Sequence, residues 1–241
     1  PCPVEVMRGT MNEMHCNVSI AYGLTEASPV ITMTRFDDPI ERRVETVGRA
    51  LDGIEVKIAD DDWKPVPTGE TGDLACRGYN VMLGYYKMPD KTAEVIDKDG
   101  WLYSGDLATM DAEGYVKIVG RKKDMLITGG FNVYPAEIEE YLFTHPKVLN
   151  VSVIGVPDPV FGEVAAVYVI PKQGVKIDPQ ELVDYCAKEI ANFKVPRYIV
   201  FVSELPMTQS GKIQKFRLRE MAQEAFDRGE MLKLSPSGGK K

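Results

Sequence analysis

Gly120-Arg121-Lys122-Lys123-Asp124-Met125-Leu126-Ile127-Thr128-Gly129-Gly130-Phe131-Asn132-Val133-Tyr134-Pro135-Ala136-Glu137-Ile138-Glu139 is where the pattern of the chain changes. Before it, from Gly48 to Gly120, short alternating runs are cut by tight turns. Ile54, Val56 and Ile58 alternate with polar residues, as a half-buried strand does. Pro67-Thr68-Gly69-Glu70-Thr71-Gly72 reads as a turn before the strand-like Asp73-Leu74-Ala75-Cys76-Arg77. Asp111-Ala112-Glu113-Gly114 separates Asp106–Met110 from Tyr115–Val119 as a four-residue hairpin loop. Pro89 to Ile96 reads as one short helix. This half is expected to be mostly antiparallel β.

After the quoted stretch begins, strands and helices alternate. Lys123–Thr128 is strand-like, and Gly129-Gly130 breaks it. Pro135 suits a first helical position, with Ile138, Tyr141 and Leu142 at helical spacing behind it. Strands follow over Val148–Val156 and Val164–Ile170. Asp178-Pro179-Gln180-Glu181 has the form of a capping box and opens a helix with Leu182, Cys186 and Ile190 on its apolar face. Tyr198–Val202 is a further strand and Gln214–Phe226 an amphipathic helix. The fold class is therefore α/β in the α+β sense. A mostly antiparallel part over 1–122 precedes a small α+β domain over 123–228, with the boundary near 121–124. Residues 229–241 read as a polar, flexible tail.

The chain has 241 residues, and Lys plus Arg against Asp plus Glu gives 29 − 36 = −7. An acidic chain lacks the basic surface that sequence-blind nucleic-acid binding needs. Cys2, Cys16, Cys76 and Cys186 are widely spaced and read as reduced thiols of a cytoplasmic protein. His15 and His145 are too few for a multi-histidine metal site, and no apolar run is long enough to span a membrane. Asn17-Val18-Ser19 matches a glycosylation acceptor by chance in such a protein.

Four segments could carry chemistry, and each has a plain structural alternative. In Tyr22-Gly23-Leu24-Thr25-Glu26 the glycine could admit a phosphate while the carboxylate holds Mg²⁺; a capped helix start explains Thr25-Glu26 equally well. In Trp101-Leu102-Tyr103-Ser104-Gly105-Asp106, an Asp at a strand start could accept from two vicinal hydroxyls, or simply close a turn. Arg121 could contact a nucleotide, and Gly129-Gly130 could let the backbone press on a slender ligand. The alternatives are a solvated basic face and an ordinary turn. Pro206-Met207-Thr208-Gln209-Ser210-Gly211-Lys212-Ile213 is not a phosphate-binding P-loop. Lys212 could still be a mobile charge against phosphate oxygens, or merely exposed.

The order and spacing of the four closely resemble the adenylate-forming superfamily of acyl-CoA synthetases, adenylation domains and luciferases. The shared patterns are YGxTE at Tyr22–Glu26, aromatic-x-x-TGD at Trp101–Asp106, GRxKDxIxxGGxxVxPxEIE at Gly120–Glu139, and PxTxxGKI at Pro206–Ile213. Ser104 stands where Thr is usual and Met207 where Lys is common. Gly130–Glu139 and Lys212–Lys215 are similar to medium- and long-chain acyl-CoA ligases.

The resemblance implies ATP-driven activation of a fatty acid to acyl-AMP, then transfer to coenzyme A. It implies that Glu26 coordinates Mg²⁺ and Thr25 bonds phosphate, while Tyr22, Gly23 and Leu24 border the adenine and acyl pocket. Asp106 would hold the ribose hydroxyls with Arg121 nearby, and Lys212 would bridge carboxylate and α-phosphate. Lys123 falls at the hinge of a mobile C-terminal domain, and Gly129, Gly130 and Phe131 would line the pantetheine tunnel. It implies further that the chain is the C-terminal part of an enzyme about twice as long, inactive alone. Its uncovered surface would invite homodimerisation. The competing readings are an enzyme that loads a carrier protein, a luciferase-like oxygenase, and a non-catalytic nucleotide- or CoA-binding module. Survival of Glu26, Asp106, Arg121 and Lys212 together argues against the last.

Overall fold

A computed structural model of the chain describes residues 4–209 and 211–237. Expectations for Pro1-Cys2-Pro3, Ser210 and Gly238–Lys241 lie outside the described residues. The chain divides between Lys123 and Asp124 into two compact units.

The first unit runs α1 (Val4–Met14), β1 (Ala21–Gly23), β2 (Val30–Met33), α2 (Ile40–Glu45), β3 (Arg49–Ala50), β4 (Ile54–Ala59), β5 (Gly72–Gly78), α3 (Pro89–Ala93), β6 (Leu102–Met110) and β7 (Val116–Arg121). Strands β1-β2-β3 form one antiparallel sheet and β4-β5-β6-β7 an antiparallel meander. The alternation in β4 buries Ile54 and Ile58 with Leu74, Cys76, Leu102 and Val116 of the neighbouring strands, and with Ala27 and Ile31. Asp111 shapes the β6–β7 loop by accepting from the N–H groups of Glu113 and Tyr115, both at 2.9 Å. Arg42 and Arg49 flank the Tyr115 ring, 4.8 and 4.9 Å from its centroid. Helix α3 is shorter than the sequence predicts. Ile96 is drawn instead into a bridge with Leu102, and Val95 O accepts from Tyr103 N at 2.8 Å.

The second unit runs β8 (Leu126–Thr128), β9 (Phe131–Val133), α4 (Pro135–Phe143), β10 (Val148–Asp158), β11 (Gly162–Pro171), α5 (Pro179–Glu189), β12 (Tyr198–Phe201) and α6 (Lys215–Asp227). Its sheet has the order β10-β11-β8-β9, with β12 beside β11 and parallel to it. Period-two alternation gives this sheet two buried faces. Val151, Val153, Ala165, Val167 and Val169 pack with Ile138 and Leu142 of α4 and Leu182 and Cys186 of α5. Ile154, Val156, Ala166 and Tyr168 pack with Leu218 and Ala222 of α6. Asp178 caps α5 by accepting from Gln180 N at 3.0 Å, with Pro179 in the first turn.

Two expectations are corrected here. Residues 122–124 form a short 3₁₀ turn, and the strand starts only at Leu126. The run Lys122-Lys123-Asp124 offers no alternating apolar face, and Asp124 is held by Arg219 at 2.8 Å. Residues 231–237 are not a free tail. Met231 and Leu234 pack against the two cores of the second unit, and Leu234 N donates to Arg197 O at 2.8 Å. Leu232 stays exposed, and the stretch is docked by Met231 and Leu234 together with hydrogen bonds to Arg197, Gln180 and Asp184.

Cys16, Cys76 and Cys186 are free thiols, and burial pushes Cys76 up to about 11 and Cys186 up to about 12. No helix among the described residues is long and apolar enough to cross a membrane.

Candidate active site

Within the first unit the fold gathers Tyr22, Asp106 and Arg121. Tyr22 lies on β1, paired with Thr32 just before a bulge at Gly23. Asp106 lies inside β6, not at a strand start as the sequence suggested, and its register partner on β7 is Arg121. Tyr22 OH donates to Asp106 Oδ2 at 2.7 Å, and Arg121 Nε donates to Asp106 Oδ1 at 2.8 Å. The Asp106 side chain keeps 15% of its exposure, and each oxygen retains a lone pair for a further donor. Burial, and then the Asp106 charge, drive the Tyr22 hydroxyl far above its ordinary range, so it stays a donor. Asp73, on the neighbouring strand β5, supports β6 by accepting from Gly105 N at 3.0 Å, and burial pushes its own carboxyl up.

Gly23 has a different reason from the one read in the sequence. A Cβ placed there would lie 1.6 Å from Pro29 O. The glycine makes room for the chain's own backbone where the β1–β2 connection folds back. Thr25-Glu26 is likewise not a side-chain cap. Thr25, Glu26 and Ala27 form a 3₁₀ turn whose preceding residue is Leu24.

Glu26 is half-buried and carries two anchors. Its Oε1 accepts from Tyr85 OH at 2.9 Å and its carbonyl from Met82 N at 2.8 Å. Among the described residues no cluster of three metal-ligating side chains occurs. A single half-exposed carboxylate with one oxygen in use fits Mg²⁺ that takes its other ligands from phosphates and water. Tyr85 and Asp73 are supporting residues that the sequence did not single out; a tyrosine pair after Gly84 was the available signal for the first. Tyr85 also lines an open groove of about 980 Å³ with Arg77, Met82, Leu83, Met88 and Ile96, none of them a residue read as functional from sequence.

The second unit holds Gly129, Gly130, Phe131 and Lys212 on two tight hairpins. Gly129 and Gly130 are the turn between β8 and β9, with φ of +58° and +86° and Thr128 facing Phe131. That is a left-handed pair suited to glycine. Space is open there: a Cβ on Gly130 would meet nothing within 4 Å. Gly129 N donates to Phe161 O at 2.8 Å. Phe131 is 58% exposed and stacks on Phe193 with centroids 4.6 Å apart. Phe161 and Phe193 escaped the sequence reading because they lie outside every motif.

Lys212 follows a turn in which Thr208 N donates to Lys212 O at 2.8 Å and Lys212 N to Thr208 Oγ1 at 3.1 Å. Its side chain is exposed, and no ion pair holds it among the described residues. Lys123 is exposed in the 3₁₀ turn at the junction of the units, beside Lys122, whose ammonium meets Asp61 at 2.7 Å.

The family model described as AMP-binding enzyme matches residues 1–86, and that described as AMP-binding enzyme C-terminal domain matches residues 137–212. The chain is 54% identical over 229 residues to the putative acyl-CoA synthetase YngI of Bacillus subtilis, covering 94% of this chain and 42% of that protein. It is 45% identical over 226 residues to the mitochondrial medium-chain acyl-CoA ligase ACSF2 of Bos taurus, covering 93% of this chain and 37% of that one. The ATP-bound crystal structure of MatB from Rhodopseudomonas palustris superposes with a TM-score of 0.88 at 36% identity, covering 94% of this chain and 45% of that chain. The chain thus spans less than half the length of these relatives.

Proposed function

The chain belongs to the AMP-binding enzyme family, and on that premise we propose that the whole protein is an ATP-dependent acid–CoA ligase acting on a fatty acid. A carboxylate oxygen attacks the α-phosphorus of ATP and pyrophosphate leaves, giving acyl-AMP. The CoA thiol then loses its proton and attacks the acyl carbonyl, and AMP leaves.

The observation that carries this reading is the Tyr22–Asp106–Arg121 group. It is a carboxylate pinned by a hydroxyl and a guanidinium, with acceptor capacity left for the vicinal hydroxyls of a ribose. Tyr22 OH and Arg121 Nε each donate to one oxygen of Asp106, so the group presents acceptors to the ligand. Glu26 would hold Mg²⁺, which when bound supplies positive charge against the phosphates. Lys212 adds a second positive charge, and its hairpin limits how far that charge can wander. Gly129, Gly130 and Phe131 offer an open, side-chain-poor edge suited to a pantetheine arm. Lys123 is the pivot by which the second unit presents Lys212 for the first step and the glycine turn for the second.

The names of the relatives support the acyl class, and the motif resemblance to medium- and long-chain ligases supports a fatty acid. Free thiols support a reducing compartment, for which we propose the cytoplasm. Exposed Tyr79, Leu83 and Tyr86 support self-association of the 241-residue chain.

The test is incubation of the whole protein with ATP, Mg²⁺, CoA and acids of graded length, with products read by mass spectrometry. Acyl-CoA that disappears in Lys212→Ala is the expected result. Acyl-AMP without thioester would replace CoA by another acceptor, such as a carrier protein. No adenylate with any acid would overturn the reading.

A further inference from the structure

Resting on the assignment of Gly129–Phe131 to thiol transfer, we propose that residues 231–237 are a strap that positions this hairpin, acting through Lys233 and the carboxylate of Asp158. Asp158 ends β10, and its side chain is wholly buried. Its Oδ1 accepts from Val160 N at 2.9 Å and Phe161 N at 3.0 Å, which shapes the short loop into β11. The carbonyl of Phe161 then accepts from Gly129 N at 2.8 Å, and Gly162 is the register partner of Thr128. The glycine turn therefore rests on the Asp158 loop. Strand β8 is joined to β11 through that one register pair, and β9 is the sheet edge beyond it. Leu126 and Val133 anchor the base of the hairpin in the core, and Ile127 N donates to Glu163 Oε2 at 3.1 Å, so what the Asp158 loop sets is the position of the glycine turn at its tip.

The other oxygen, Oδ2, is met by Lys233 Nζ. Burial works against the ionised carboxyl, but Lys233 and the two backbone donors outweigh it and hold the group below the usual carboxylate range. Lys233 is delivered by the strap. After α6 the chain reverses, with Gly229 N donating to Phe226 O and Glu230 N to Ala225 O, both at 2.9 Å. Leu234 is bonded to Arg197 O, while Gln180 Nε2 holds Ser235 O at 2.8 Å and Asp184 Oδ1 holds Ser237 N at 2.7 Å. The strap is thus fixed on both sides of Lys233. Without that lysine, the buried carboxylate would lose its hydrogen-bonded cation and keep only the charge of Arg197, which makes no ion pair with it among the described residues, and the cheapest relief is for the 158–162 loop to open toward water.

The test is Lys233→Met in the whole protein, with amide exchange and the two half-reactions measured separately. Exchange at Val160, Phe161 and Gly129 should rise. Thioester transfer should fall about ten- to a hundredfold with a raised KM for CoA, while pyrophosphate release stays within about twofold of the parent. Lys233→Arg should keep parental behaviour. Lys233→Met combined with Asp158→Asn should recover much of it, since Asn can accept the same N–H groups without a charge. Unchanged exchange at Gly129, unchanged transfer, or equal loss of both half-reactions would overturn the proposal. If the parent forms no thioester with CoA, the ligase reading fails on its own, and the exchange comparison still decides whether the strap positions the turn.

Discussion

Gly23→Ala separates two roles that a glycine in this motif could have. If Gly23 lets a phosphate approach, the variant folds normally and binds ATP poorly. If it admits the chain's own backbone, the variant is destabilised before any ligand is added. The structure favours the second, because the new Cβ would stand 1.6 Å from Pro29 O. An ordinary carbon–oxygen contact is about twice that distance, so β1 and the Pro29 segment must part by roughly 1.5 Å. Gly23 pairs with Val30 in a three-residue strand, and that strand has no slack. The same segments lead into Ala27 and Ile31, both fully buried. Overpacking of this kind costs about 1–3 kcal/mol, and more where backbone meets backbone, so about 3 kcal/mol is expected. Trp63 and Trp101 both lie in the first unit, so tryptophan fluorescence in urea reports on it. With a slope of about 1–3 kcal/mol/M, the midpoint should drop by about 1–3 M. A parental midpoint together with a raised KM for ATP would refute the reasoning.

Four further outcomes follow from the same geometry. Tyr22→Phe removes one of two donors to Asp106, and the KM of the whole protein for ATP should rise by about three- to tenfold, the loss of part of a charged hydrogen bond; an unchanged KM would separate Asp106 from nucleotide binding. Asp73→Asn keeps an acceptor for Gly105 N but removes a carboxylate whose pKa burial has raised. The ionised form is the disfavoured one in the fold, so the variant should gain stability at pH 7, and the gain should vanish below about pH 4; a gain confined to acid would reverse the sign of this argument. Gly130→Ala meets no clash but forces alanine to a φ of +86°, so it should cost about 1–2 kcal/mol and slow thioester formation, not pyrophosphate release. Lys123→Pro should lock the pivot and slow the thioester step more than adenylation; equal slowing of both would remove Lys123 from that role.

Much of the architecture was legible because local chemistry carries it. The alternation of Ile54, Val56 and Ile58, the Asp111 loop, Pro135 before α4 and Asp178-Pro179 before α5 each specify an element within a few residues. Where the local signal was mixed, the reading slipped. Lys123-Asp124 reads as the start of a strand over Lys123–Thr128, and 231–237 as part of a tail over 229–241, because the partners that fix them are far away. Arg219 is 95 residues from Asp124, and Lys233 is 75 from Asp158.

The sequence by itself determined which residues carry charge, hydroxyls and glycine freedom, and in what order, and the family resemblance of that order nominated Glu26, Asp106, Arg121, Gly129-Gly130 and Lys212 as candidates. Only the tertiary structure decided what holds them. Tyr22 reaches Asp106 across 84 positions, and Tyr85 reaches Glu26 across 59. The crowding at Gly23 arises where the β1–β2 connection turns back on the strand. The physical reason is range: helix and strand preferences are set by neighbours within a turn or a pleat, whereas hydrogen-bond geometry at a site depends on strand register and packing. Those exist only once the chain has folded.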